Sequence, residues 1–270
     1  MNELSSIELV NVDTPFGKPS DTIITGELQD TKTAFLPRHG KRHHLLPSEI
    51  PYRANIYALK SLGVERIISV SAVGSLLEQI EPLDIVVPDQ LIDRTKQRKN
   101  TFFGDGIVAH VGFAEPFCPE ITDLYRYSRS LDRTRLHTGG SLVVIDGPQF
   151  STRAESAIYR SWGAAIIGMT TLPEAKLARE AEICFSTMAL VTDYDVWRTP
   201  AEEVTANMVA RNVKANAIIA KHTVKDMINM IPEDRKCKCA SALKGAIMTQ
   251  PEIIPYKTLD RISTITGKYI

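Results

Sequence analysis

Short apolar runs, each closed by polar or turn residues, alternate along the chain with stretches of helical periodicity. Such runs predict buried strands, and the periodic stretches predict helices with one face in a core. The pattern predicts an edge strand at Ile7–Val12 and strands at Thr22–Gly26, Thr33–Leu36, Arg66–Val70, Asp84–Pro88, Leu142–Ile145 and Ala164–Ile167. It predicts helices at Pro51–Leu62, with proline at the start and Gly63 beyond the end, and at Glu120–Arg129. A Thr152-x-x-Glu155 capping box opens a further helix at Arg153–Trp162, which Gly163 closes. A long helix is expected over Ala201–Met230, where Val204, Met208, Ile218, Ile219 and Met227 recur at near-helical spacing. The tail, residues 234–270, begins with a charged break and is expected to hold one more helix at Ala242–Met248; Gln250–Ile270 carries no readable element. Strands alternate with helices and no compositional shift marks a linker, so residues 1–270 read as a single α/β domain.

The segment Ala164–Trp197 anchors this reading. It is a strand–helix–strand unit whose strands run out in Met169-Thr170 and Asp193-Tyr194-Asp195. Thr171-Leu172-Pro173-Glu174 reads as a second capping box, which would aim free N–H groups at Thr170. Ligands of open α/β sheets sit beyond the carboxyl ends of the strands. Other strand ends add Arg38-His39, Ser71-Ala72 and Phe150-Ser151. Arg38–His44 holds three Arg/Lys and three His, a local positive site or a solvated basic loop. The small residues Ser71–Ser75 suit a nest of backbone N–H groups, or close packing.

Composition narrows the choice. A chain of 270 residues with 43% hydrophobic content can bury one large core. Thirty-two basic residues balance thirty-two acidic ones, so no long-range field draws it to nucleic acid or an anionic membrane. No apolar run is long enough to span a bilayer, and a soluble, cytoplasmic protein is expected. The four cysteines are Cys118, Cys184 and a Cys237-x-Cys239 pair. Without ligand-like spacing they read as free thiols, and no metal or cofactor is expected.

The strand ends divide by chemistry. Arg38, His39, Ser71, Ala72 and Thr170 suit phosphate: a guanidinium, an imidazole, amides beside small side chains, and a hydroxyl at a helix N-terminus. Asp193 and Asp195 are carboxyls two residues apart that can accept from an amine or, when protonated, donate to a ring nitrogen. Phe150 can stack on a flat ring and Met169 offers an apolar wall. An anion held beside a heterocycle with an exocyclic amine points to phosphorolysis of an adenine nucleoside.

The segments LPRHGKRH, PYRANIYALKSLG, SVSAVGSL, PDQLIDRT, EPFCP, GPQFSTRAES, GMTTLPEAKLAREAEICF and VTDYDVW occur in this order. Together they resemble the methylthioadenosine-cleaving members of the trimeric purine nucleoside phosphorylase family. The resemblance implies a mixed, partly barrel-like sheet surrounded by helices. It implies attack of inorganic phosphate, a co-substrate, on 5′-methylthioadenosine to give adenine and 5-methylthioribose 1-phosphate. Arg38, His39, Ser71, Ala72 and Thr170 would then hold phosphate, and Met169 the ribose hydroxyls. Phe150 and Ser151 would line the purine site, and Asp193 and Asp195 would meet the N7 and 6-amino edges. Val209 would border the 5′-substituent, and His110 would reach a neighbouring subunit's site in a homotrimer. A trimer would also cover Phe102, Phe103 and Phe113. The family's 6-oxopurine enzymes carry Asn in the acidic region, so the Asp pair favours 6-aminopurines. Gln149 replaces the family's usual Arg, with a local effect expected. The family's Gly-Gly-Ser/Thr-Gly phosphate loop would precede VDTPFG. Its absence here leads to the expectation of a start set too far downstream or, alternatively, of a purine-binding protein without catalysis.

Overall fold

The computed structural model describes residues 4–131, 135–198 and 206–270. In chain order the elements are β1 (Ser5–Val10), β2 (Ile23–Leu28), β3 (Thr31–Phe35), α1 (Tyr52–Ser61), β4 (Arg66–Ser75), β5 (Ile85–Val87), β6 (Gln90–Asp93) and α2 (Pro119–Leu124). They continue with β7 (Leu136–Thr138), β8 (Ser141–Val144), α3 (Arg153–Ser161), β9 (Ala164–Gly168), α4 (Thr171–Glu180), β10 (Cys184–Asp193), α5 (Ala206–Ile228) and α6 (Tyr256–Thr266). Strands β1–β3 form a small antiparallel sheet. The other seven form a mixed sheet in the order β6-β8-β9-β4-β10-β5-β7, curled into a half-barrel and surrounded by helices.

Strand β10 is the spine. Every one of its residues is buried, as expected for a strand with a layer on each face. It runs parallel to β4 from the Cys184–Arg66 pair to the Asp193–Gly74 pair and antiparallel to β5. Helix α4, whose Leu172, Ala175, Leu177 and Ala178 are fully or almost fully buried, packs into the main core with Ile56, Phe185 and Val191. On the other side, Met188 and Leu190 meet Ile121, Tyr125, Ala220 and Met227.

Helix α3 has the capping box read from its sequence. Thr152 Oγ1 accepts the Glu155 N–H at 3.2 Å, and Glu155 Oε2 accepts the Thr152 N–H at 2.8 Å. Several expectations are corrected. Ser71–Ser75 is no nest-like loop, since β4 continues through it. The second capping box, Thr171 to Glu174, does not form: Leu172 is extended, so no helical turn joins the two, and the Glu174 carboxylate is taken by Arg38. The predicted helix at Ala242–Met248 is a run of turns that pairs instead with residues 108–110, His110 N–H donating to Ala246 O at 2.9 Å and Met248 N–H to Val108 O at 2.9 Å. Helix α2 stops at Leu124 and gives way to 3₁₀ turns, while α6 lies in the stretch that carried no readable element. The predicted start of the long helix, residues 201–205 with Val204, lies outside the described residues. Phe102 and Phe103 need no neighbouring subunit to cover them, because both are already buried in the core, Phe102 beside Phe16 and Tyr57. Among the described residues no helix is long and apolar enough to cross a membrane.

Candidate active site

The ends of β10 and β9, the middle of β4 and the loops after β3 and β8 converge on one cavity of about 750 Å3, closed on a further side by α5. Arg38, His39, Ser71, Ala72, Phe150, Ser151, Met169, Thr170, Asp193, Asp195 and Val209 all line it. Of the residues singled out by sequence, His110 is not among these lining residues; it is exposed, on the segment paired with Ala246.

The basic end of the cavity is built around Arg38. Its Nε donates to Glu174 Oε1 at 2.7 Å and its Nη2 to Oε2 at 3.0 Å, a bidentate pair. Further bonds run from Nη2 to Ser69 Oγ at 2.6 Å and from Nη1 to the Val70 carbonyl at 2.8 Å. Burial works against the charged guanidinium, but the Glu174 carboxylate outweighs it and holds the Arg38 pKa above its usual value. The fork is thus spent on protein partners, the last Nη1 N–H reaching Ser71 Oγ over a long 3.5 Å. Ser71 Oγ lies 3.2 Å from Thr170 Oγ1, so two hydroxyls share this wall. The antiparallel β4–β9 register explains the meeting, because residues beyond Gly168 run back along β4.

His39 completes this end. Its Nδ1–H donates to the Leu45 carbonyl at 2.9 Å, which leaves Nε2 for a ligand. Its ring stacks on His43 with centroids 4.4 Å apart. Burial is the main cause of its lowered pKa, which favours the neutral ring at pH 7. A neutral Nε2 can accept the proton of a hydrogenphosphate.

At the other end stand the two acids. Asp193 Oδ1 accepts the Asp195 N–H at 2.8 Å. Asp193 Oδ2 lies 2.7 Å from Thr192 Oγ1, which is also 3.2 Å from the Val73 carbonyl. Thr192 has a single hydroxyl proton. When it goes to the Val73 carbonyl, the short contact is available to a proton carried by Asp193. Burial raises the pKa of both acids, so each is easier to protonate than a solvated carboxyl. Asp195 sits at φ 50°, a strained conformation for a residue with a side chain. Asp195 Oδ2 and Ser151 Oγ are buried without a close partner, and the Ser156 and Ser151 hydroxyls stand near enough to the Asp195 carboxyl to lower its pKa against the effect of burial. A buried polar atom without a close partner calls for an explanation, which a ligand in the cavity would supply. Phe150 offers a 43% exposed ring at the same end.

Residues that the sequence reading missed hold these in place. Glu174 was read as a helix cap and is the counter-ion of Arg38. Arg98, 3% exposed, donates to the carbonyls of Met169 and Leu172 at 2.7 Å each and to that of Asp146 at 2.8 Å. It ties the loop after β8 to the loop after β9. No local signal marks it, since it lies in a polar turn. Asn212 and Asn216 of α5 donate to the Thr192 carbonyl at 2.6 Å and the Val191 carbonyl at 3.2 Å, gripping the end of β10.

A half-barrel α/β sheet that carries one cavity, with paired acids at one end and basic and hydroxyl groups at the other, is the architecture of the nucleoside phosphorylases. The chain belongs to the phosphorylase superfamily, whose family model matches residues 2–228. The S-methyl-5′-thioadenosine phosphorylase of Koribacter versatilis is 51% identical over 269 residues, taking in 100% of this chain and 92% of its own length. That of Geobacter sulfurreducens is 50% identical, with 100% and 95% covered. A methylthioadenosine phosphorylase from an Antarctic soil metagenomic library superposes with a TM-score of 0.93 at 50% identity, covering 98% of this chain and 94% of its own. Methylthioadenosine phosphorylase from Schistosoma mansoni, solved in complex with adenine, gives 0.86 at 36% identity, with 93% and 94% covered.

Proposed function

We propose that this protein is a purine nucleoside phosphorylase that cleaves 5′-methylthioadenosine with inorganic phosphate, releasing adenine and 5-methylthioribose 1-phosphate. The observation that carries this reading is the placement, on one cavity, of two buried acids whose pKa values burial raises and of a separate wall of basic and hydroxyl groups. Adenine lies against Phe150, with its N7 toward Asp193 and its amino group toward the Asp195 carboxylate and Ser151. Phosphate occupies the end formed by His39, Ser71, Ala72 and Thr170, where the Arg38 N–H that reaches Ser71 only at 3.5 Å can turn to it. Met169 packs on the ribose between them, and Val209 borders the methylthio group.

The chemistry follows from that arrangement. The glycosidic bond breaks toward an oxocarbenium-like sugar, and the purine is a poor leaving group while it carries negative charge. A proton from Asp193 to N7 neutralises it, an effect of about 10²–10⁴-fold for a positioned general acid. Phosphate on the opposite face offsets the developing positive charge and then bonds to the anomeric carbon. A 6-oxopurine would set a carbonyl against the Asp195 carboxylate, an acceptor against an acceptor, which buried sites reject strongly. The reaction draws on no cofactor. Mixing the protein with 5′-methylthioadenosine is expected to release adenine only when phosphate is present. Adenine release that ignores phosphate, or a preference for inosine, would sink the assignment.

We also place the reaction in a cytoplasmic salvage step and in a homotrimer, where His110, exposed and outside its own cavity, reaches a neighbour's site. A monomer in light scattering would remove that role of His110.

Gly74 makes the acid end testable. A Cβ on Gly74 would stand 2.8 Å from Asp193 Oδ1 and 3.1 Å from Ile167 Cγ2. Gly74→Ala is therefore expected to shift the Asp193 carboxyl and to lower kcat on the order of 10²-fold, the effect of an ångström-scale displacement. Steady-state kinetics beside a thermal melt checks this, since a folded variant with normal kcat would contradict it.

A further inference from the structure

Cys118, Cys184, Cys237 and Cys239 come from three distant parts of the chain, yet their Sγ atoms all lie within 4.8 Å of one another. Cys118 is the residue before α2, and its N–H donates to the Phe185 carbonyl at 2.8 Å. Cys184 opens β10, and its N–H donates to the Glu65 carbonyl at 2.9 Å. Cys237 and Cys239 flank the first residue of the 3₁₀ turn Lys238–Ser241 in the chain that follows α5. Three of the four are buried, Cys237 is half-buried, and all are free thiols. The sequence reading saw no ligand set, because nothing in the spacing announces that the sheet carries Cys118 and Cys184 to the Cys-x-Cys pair.

The geometry fits one chemistry. Cys184 Sγ and Cys237 Sγ are 3.3 Å apart, well beyond the roughly 2.05 Å of a disulfide. A tetrahedral ion bound at about 2.3 Å from each sulfur spaces its thiolates about 3.8 Å apart, which the observed separations bracket. An iron–sulfur cluster places several metal and sulfide atoms between its ligands and needs a wider cage. The surroundings, with Ile121, Met188 and Met227, are apolar. Four thiols there can offer one another only weak hydrogen bonds. A soft divalent ion would use all four sulfurs, and the Arg235-Lys236-Cys237-Lys238-Cys239 run sets cations beside the resulting dianion.

We propose that these four cysteines bind a single zinc ion as a closed tetrathiolate site. Binding releases the four thiol protons and involves no change of oxidation state. With all four positions filled by protein, the site is structural. It lies at the opposite end of β10 from Asp193, about 30 Å away at the rise of an extended strand. The ion fastens α2, the start of β10 and the segment after α5 to one another, so its loss acts on stability and leaves the chemistry of the cavity intact.

The test uses the full chain, purified under reducing conditions without chelator and analysed for metal by mass spectrometry. One zinc per chain is expected. The zinc-stripped, reduced protein is then titrated with Co2+, which should produce the intense sulfur-to-cobalt charge-transfer bands and tetrahedral ligand-field bands of a tetrathiolate at a 1:1 ratio. Cys237→Ser, at the half-buried ligand, is expected to keep its fold by circular dichroism and to weaken Co2+ binding beyond the roughly 10–100-fold that loss of an outer-shell partner costs. A strong chelator should lower the Tm of the parent and leave that of C237S unchanged. Reduced protein that gives no tetrathiolate spectrum with Co2+ would overturn the site. So would unreduced protein lighter by four hydrogens, the mark of two disulfides, or C237S binding Co2+ as the parent does.

Discussion

Asp193→Asn is expected to leave a folded protein whose kcat for phosphorolysis is lower by about 10²–10⁴-fold, the range for loss of a positioned proton donor. The substitution is close to isosteric. Its amide oxygen can still accept the Asp195 N–H, and its NH2 can donate to Thr192 Oγ1, so both bonds of the native carboxyl survive. Only the transferable proton is lost. Burial raises the native Asp193 pKa above that of an unfolded chain. A carboxyl of this kind contributes stability that is fully present below the unfolded pKa, near 3.9, and is lost as pH rises through the folded value. Asn does not titrate, so the Tm of the variant relative to the parent should rise between acid and alkaline pH. Melts at several pH values alongside single-turnover kinetics check both halves. A variant that loses stability and activity together at every pH would make Asp193 a structural residue.

The second large effect is on stability. Glu174→Ala should destabilise the fold by about 3–5 kcal/mol, because it leaves the Arg38 guanidinium buried without its counter-ion. The pair is bidentate, at 2.7 and 3.0 Å, and the side chains are only 18% and 8% exposed. The Ser69 hydroxyl proton, which goes to Glu174 Oε2 at 3.1 Å, loses its acceptor as well. Replacing both members with apolar residues of similar size should recover most of that loss, since the desolvation cost of two charges goes with them. Phosphate affinity should not recover, because the Nη1 N–H beside Ser71 disappears. Urea denaturation of the two variants, read with phosphate titrations, separates the roles. A Glu174→Ala protein as stable as the parent would mean that Arg38 finds another counter-charge.

These two residues also mark the limits of reading the chain by pattern. Asp193 and Asp195 were legible because an apolar strand ends in them, and strand ends are where open sheets bind ligands. Thr170 was legible from the same rule. Glu174 was misread, since a Thr-x-x-Glu spacing is a capping signature only while the Glu has no stronger partner. Here a guanidinium 136 positions away claims it. Arg98 was invisible for a related reason: its shortest bonds go to the backbone carbonyls of Asp146, Met169 and Leu172, which any sequence would supply, and its side-chain partners Asp146 and Tyr52 lie 48 and 46 positions away. The strands with apolar runs were found, whereas β6 and β7 were missed, each being short and only partly buried. The helix drawn at Ala242–Met248 failed because a local preference lost to pairing with residues 108–110. The cysteine tetrad belongs to the same class, a contact made only by topology.

The grip of α5 on the end of β10 constrains how this enzyme can diverge. Val209 and Val213 form the cavity wall from the same two turns of helix that place Asn212 and Asn216 on the Thr192 and Val191 carbonyls. In the proposed pose, the 5′-group and the acid are therefore both positioned by this one helix. A larger 5′-group cannot be accommodated by sliding α5 outward without slackening the strand that carries Asp193. New specificity must come from trimming the valine side chains in place, so the pocket can change its depth far more readily than its position.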